Sequence, residues 1–141
     1  MSVSHFFRER GSRPFPWIKK FKPVVSQIVN DHQCHGDINF ILCTNETIKS
    51  INNEFRKQNK VTDVISMEWN TKDILGEIYI AEAQVKKQAN RYQISYYREL
   101  LRMIIHGTLH LAGFDHIKAK DRKLMRSQED YYHAIALGKK P

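Results

Sequence analysis

The stretch that most constrains this chain is His106–His116, HGTLHLAGFDH. His106 and His110 are four residues apart within an apolar-periodic run, so on a helix they project from one face, one turn apart. Gly113 can adopt the left-handed backbone that ends a helix, which lets His116 return toward the same point. The fold must therefore set a helix end against a returning loop. Three neutral imidazoles in that frame suit zinc, and no fourth ligand is supplied locally. An open fourth position marks a catalytic site rather than a structural one. The same spacing frames the zinc of one large group of metalloproteases, whose base is a glutamate directly after the first histidine. Here that position is Gly107.

Without that base, a bound metal must itself lower the pKa of water to about 7, or polarise a phosphoryl oxygen while the nucleophile is activated elsewhere. Either route calls for a cation to hold the substrate, and an arginine fork suits phosphate. Asp115 is either a partner for a ligand imidazole or a turn residue accepting backbone hydrogen bonds.

The remainder of the chain reads as one domain, residues 1–141, of α+β class: a small mixed sheet of about four strands flanked by helices, with the metal site at the end of a central helix. A helix is expected over Trp17–Val29, bent or interrupted at Pro23. Strands are expected at Asp37–Cys43, Asp63–Trp69 and Ile74–Ala81, the last two joined by a polar turn at Asn70–Asp73. Thr44 should cap a helix with an apolar stripe of Ile48, Ile51 and Phe55. A short helix follows at Glu82–Asn90. Ser95 caps a longer one that buries Leu100, Leu101, Ile104, Ile105 and Leu109. A last helix covers Ala119–Leu137, with Met125 in its core face.

The chain carries 23 Lys+Arg against 15 Asp+Glu, a net charge of +8. Such a balance attracts phosphate backbones, although a merely solvated basic surface would have the same count. The basic residues fall into an early group (Arg8, Arg10, Arg13, Lys19, Lys20, Lys22) and a late one (Lys118, Lys120, Arg122, Lys123, Arg126). No apolar run is long enough to span a membrane, and the first residues lack the apolar core of a secretory signal, so a cytoplasmic protein is expected. Cys34 and Cys43 have no metal-like spacing and suit a reducing compartment.

Three blocks together resemble the YbeY endoribonucleases, also called rRNA maturation factors. HGTLHLAGFDH is similar to that family's HGxLHLxGyDH, FRKQNKVTDVISM (Phe55–Met67) to a block ending in TDVLSF, and LGEIYI (Leu75–Ile80) to LGDI plus an apolar residue. Their order and spacing also match, spanning residues 55 to 129 if Met125 and Glu129 are counted. The resemblance implies one zinc ion per chain held by His106, His110 and His116, with Arg56 near the metal and His110 and Arg56 needed for catalysis. It also implies cleavage of single-stranded RNA, in 3′-end maturation of small-subunit rRNA and in ribosome quality control. RNA and the small ribosomal subunit would then be the partners, with no membrane and no small-molecule cofactor. Thr62 and Asp63 could position Arg56 or a ligand, or could simply form a capped strand entry. Glu77 stands where aspartate is usual, Met67 where phenylalanine is usual. Two other functions remain open on the residues alone: a metalloprotease-like hydrolase, with Glu77 or Glu68 as base, and a non-catalytic ribosome-associated factor with a structural metal.

Overall fold

The computed structural model describes residues 3–9, 13–69, 71–115 and 117–138. Nine elements succeed one another among them: β1 (Ser4–Arg8), α1 (Ile18–Asp31), β2 (Asp37–Cys43), α2 (Asn45–Arg56), β3 (Val64–Glu68), β4 (Ile74–Ala81), α3 (Glu82–Tyr92), α4 (Tyr96–Leu111) and α5 (Ala119–Ala136). The sheet has the order β1-β2-β4-β3, with β1, β2 and β4 parallel and β3 antiparallel to β4. Parallel neighbours need crossover connections, so helices lie on both faces of the sheet.

The register divides the side chains between those faces. Ile38, Phe40 and Leu42 of β2 pair with Gly76, Ile78 and Ile80 of β4. They face the main core, built with α1, α4 and α5 around Phe21, Ile28, Leu101 and Ile104. On the other face, Cys43, Ile65 and Ala81 meet Ile48 of α2 in a much smaller cluster. This is the expected α+β arrangement of a four-stranded mixed sheet between helices.

Three details depart from the expectation. The fourth strand is β1, a parallel edge strand whose S-H-F-F-R sequence lacks clean alternation. It is defined by its partners instead: Phe6 stacks on Phe40 with ring centroids 4.8 Å apart, and Arg8 pairs with Glu82. Pro23 lies inside α1 rather than interrupting it. Pro23 and Lys19, whose carbonyl loses its helical donor to the ring, both sit on the exposed face, where water can satisfy that oxygen. In α2 the apolar stripe stops early: Phe55 is 58% exposed while Asn52 is buried. The Asn52 amide donates to the Lys60 carbonyl at 3.0 Å, so the helix end buries a polar anchor for the following loop. Asn70 lies outside the described residues. Among the described residues no helix is long and apolar enough to cross a membrane.

Candidate functional site

The site is built on α4. Ser95 starts the helix by accepting from the Arg98 N–H at 3.1 Å, one of the orphan donors of a first turn. From Glu99 to Leu111, all residues except Arg102, His106 and His110 are buried, as befits a helix enclosed by the sheet, α1, α3 and α5. Its approach to the sheet is unusually close. A Cβ at Gly107 would lie 2.8 Å from Ile78 Cγ2. A Cβ at Gly76 would lie 2.5 Å from the Met67 carbonyl oxygen and 2.6 Å from Leu111 Cδ2. The Ser66 hydroxyl donates to the Gly107 carbonyl at 3.4 Å. These contacts join the three sequence blocks: Ser66 on β3, Gly76 and Ile78 on β4, Gly107 and Leu111 on α4. Position 107 therefore faces the sheet, and its glycine is the condition for α4 to seat there.

The seated helix presents His106 and His110 on its outer side, half-buried, with ring centroids 5.1 Å apart and planes at 75°. Across from them, α5 contributes Glu129, whose Oε2 is 2.9 Å from His106 Nδ1. With Nδ1–H donating to this carboxylate, Nε2 keeps its lone pair, the arrangement that orients a metal-ligating imidazole. Burial would raise the Glu129 pKa, but the hydrogen bond from His106, the charge of that ring whenever it is protonated, and the charges of Arg102 and Arg126 together hold it below the ordinary glutamate value. Met125, 1% exposed, and Tyr132, whose hydroxyl donates to Asp31 Oδ2 at 2.8 Å, fix α5 in place. Met125 is thus a core residue, as its helical spacing suggests.

After Leu111 the chain closes α4 with a reversal. Gly113 has φ +104, its N–H donates to the His110 carbonyl at 3.0 Å, and the Phe114 N–H donates to the Leu109 carbonyl at 3.0 Å. This paired bonding satisfies carbonyls that a helix end leaves orphaned. Asp115 Oδ1 then accepts from the Ile117 N–H at 2.7 Å, the turn role open to it in the sequence. His116 lies outside the described residues.

The other candidates occupy different ground. Asp63 ties the start of β3 to α3, accepting from the Val64 N–H at 2.8 Å and from Gln88 Nε2 at 3.1 Å, while the Thr62 hydroxyl donates to Asp63 at 3.3 Å. Glu77 pairs in register with Met67 and so sits on the α2 face of the sheet, away from α4. Its Oε1 accepts from Trp69 Nε1 at 3.1 Å and from the Tyr79 hydroxyl at 3.4 Å. Arg56 is the exposed last residue of α2, ahead of Lys57 in the left-handed conformation. The contacts described above bring His106, His110 and Glu129 together and give Thr62, Asp63 and Glu77 other partners.

Glu129 is the residue whose role the sequence analysis did not assign. The available signal was its position one turn beyond Met125 on the core-facing side of an amphipathic helix. Its partner His106 lies 23 residues earlier, on another helix, beyond the reach of any helical periodicity.

The donor set fits a metal in its chemistry. Two imidazoles stand a turn apart and one already has a carboxylate partner. Among the described residues no three ligand side chains close on one point, so those residues would supply two donors to a metal, His106 and His110. Neither cysteine is a thiolate ligand in waiting: burial raises the Cys34 pKa, and burial followed by the Glu9 charge pushes Cys43 up to about 12.

Fold and site define a small α+β domain that displays a carboxylate-backed histidine pair from a central, sheet-seated helix. The chain belongs to the Endoribonuclease YbeY family, whose model matches residues 9–135. It is 36% identical over 115 residues to a protein named Endoribonuclease YbeY from Azobacteroides pseudotrichonymphae, covering 81% of this chain and 78% of that one. A protein of the same name from Thermotoga maritima is 34% identical over 116 residues, 82% of this chain and 77% of that one. The solution structure of TM1509 from Thermotoga maritima matches with a TM-score of 0.69 at 30% identity, over 96% of this chain and 89% of that chain.

Proposed function

We propose that this chain is a metal-dependent endoribonuclease that cuts single-stranded RNA during rRNA maturation, in the cytoplasm and in association with the small ribosomal subunit. Family membership supports an RNA-cleaving hydrolase. The observation that carries the metal site is the His106 Nδ1–Glu129 hydrogen bond, which readies Nε2 of a histidine one turn from His110. In this reading His106, His110 and His116 hold one zinc ion. When bound, the ion supplies Lewis-acid activation of the phosphodiester or of the attacking oxygen. Arg56 binds the scissile phosphate through its bidentate fork, and the basic surface gathers the RNA. A protease-type base has no place at position 107, where a side chain would meet Ile78.

The test is cleavage of a single-stranded precursor of the small-subunit rRNA 3′ end. Metal-stripped and zinc-restored protein would be compared with His110→Ala and Arg56→Ala, all purified identically. Activity is expected to follow zinc, to vanish in His110→Ala, and to fall about 100-fold or more in Arg56→Ala. Equal cutting by all four preparations would mean a contaminating nuclease and sink the proposal.

A further inference from the structure

Resting on the RNA-cleaving reading above, we infer that the groove between α4 and α5 binds the backbone of the substrate strand and leads it to the histidine pair. Arg98, Arg102, His106 and His110 succeed one another at intervals of four along α4. They form a single i±4 ridge, with neighbouring Cβ atoms about 5–6 Å apart. Two cations are therefore in line with the two histidines. Facing the ridge, α5 supplies Arg126, Glu129, Asp130 and His133, and the space between is a cavity of about 520 Å³. That volume is in the range that accepts a nucleotide-sized group.

The charges in the groove are arranged for phosphate. Arg102 Nε is 3.0 Å from Oε1 of Glu99, which is fully buried. That anchor fixes the guanidinium. No ion pair occupies Arg98 or Arg126 among the described residues. Glu129 is engaged by His106, and Asp130, exposed at the rim, is the groove's other carboxylate. Counting the Glu99 that pairs with Arg102, three guanidiniums meet three carboxylates (3 − 3 = 0), so the cations open to a phosphate are Arg98 and Arg126, and the Glu129 that lines the groove is the residue hydrogen-bonded to His106. Successive phosphates of one strand can engage Arg98 and Arg126 before the chain reaches the histidines.

The experiment uses a labelled single-stranded oligoribonucleotide carrying 2′-O-methyl groups, its length checked on a gel after each titration so that binding is read on intact strand. Its dissociation constant is measured against salt for the wild type, Arg98→Gln, Arg126→Gln, the double variant and Asp130→Asn. Arg102 is left intact, because removing it would strand the buried Glu99 carboxylate. Each arginine replaced should reduce the slope of log K against log salt by about 0.7, about 1.4 for the pair, and weaken binding several-fold at low salt. Asp130→Asn should tighten binding, a gain that no folding defect can mimic. Unchanged affinity and slope in the double variant, with the wild type binding, would overturn the groove while leaving the nuclease reading intact. A wild type that cuts RNA but binds this strand with no salt dependence would also overturn it. A wild type that neither binds nor cuts would remove the reading on which the groove rests.

Discussion

The two faces of the sheet are built to different tolerances. On the α4 face, helix and strands meet through two glycines, and there is no room for a methyl group at either. On the α2 face, the cluster has four buried members, and the last helical turn projects Phe55 and Arg56 into solvent. Close packing transmits position, because a displaced backbone has nowhere to go. The crowded face thus fixes the helix that sets His106 against Glu129, whereas Arg56 projects from an exposed helix end on the looser one.

The largest effect expected from breaking this contrast comes from Gly76→Ala. The new methyl group would press on the backbone carbonyl of Met67, which cannot rotate away as a side chain could. Overpacking at this level costs about 3 kcal/mol, measurable as a lower urea midpoint with unchanged slope. A loss under about 0.5 kcal/mol would show that the crowded face yields easily.

Glu129→Gln sharpens the comparison by separating metal affinity from stability. The amide can no longer polarise His106 as a carboxylate does, so zinc affinity should fall about 10–100-fold, read by competition with a chromophoric chelator. Thermal stability without metal should change little. An unaltered zinc affinity would remove Glu129 from the site.

A smaller effect, confined to acid, is expected at the junction of the two faces. Glu82 accepts from the Tyr96 hydroxyl at 2.6 Å and pairs with Arg8, tying β1 and α3 to the start of α4. Burial acts to raise its pKa, but the hydrogen bonds from Tyr96 and Arg8, and then the Arg8 and Lys86 charges, bring it below the ordinary glutamate value of 4.5. A pKa lower in the folded than in the unfolded chain means that the carboxylate stabilises the fold fully above about 4.5. That contribution is lost as pH falls through the lower folded value. Glu82→Gln should flatten this acid limb in denaturant titrations run from pH 6 downward, and an unchanged limb would exclude Glu82 as its source.

The smallest effect belongs to the loose face. Phe55→Ser should change stability by no more than about 0.5 kcal/mol in the same urea assay, since the ring is already mostly in water. A loss rivalling that of Gly76→Ala would erase the contrast between the faces.

Much of the framework follows from local signals. Thr44 and Ser95 are side-chain caps, Gly113 ends α4 with positive φ, and the alternation in Asp37–Cys43 gives β2 the apolar face of Ile38, Phe40 and Leu42. Each depends on residues within a few positions of one another, so the amino-acid order alone carries the information. The i, i+4 relation of His106 and His110 is of the same kind. β1 and Glu129 are different. The strand exists because β2 offers a parallel edge, and Glu129 acts because α5 folds back over α4. Gly107 marks the boundary most clearly. Its sequence position invites comparison with a missing catalytic base, and its side-chain direction was decided by the contact with Ile78, 29 residues earlier. Local sequence determined which helix carries the histidines and where it ends. Only tertiary packing decided what stands beside them, because a long-range neighbour is set by how whole elements fill space, and no short-range pattern records that.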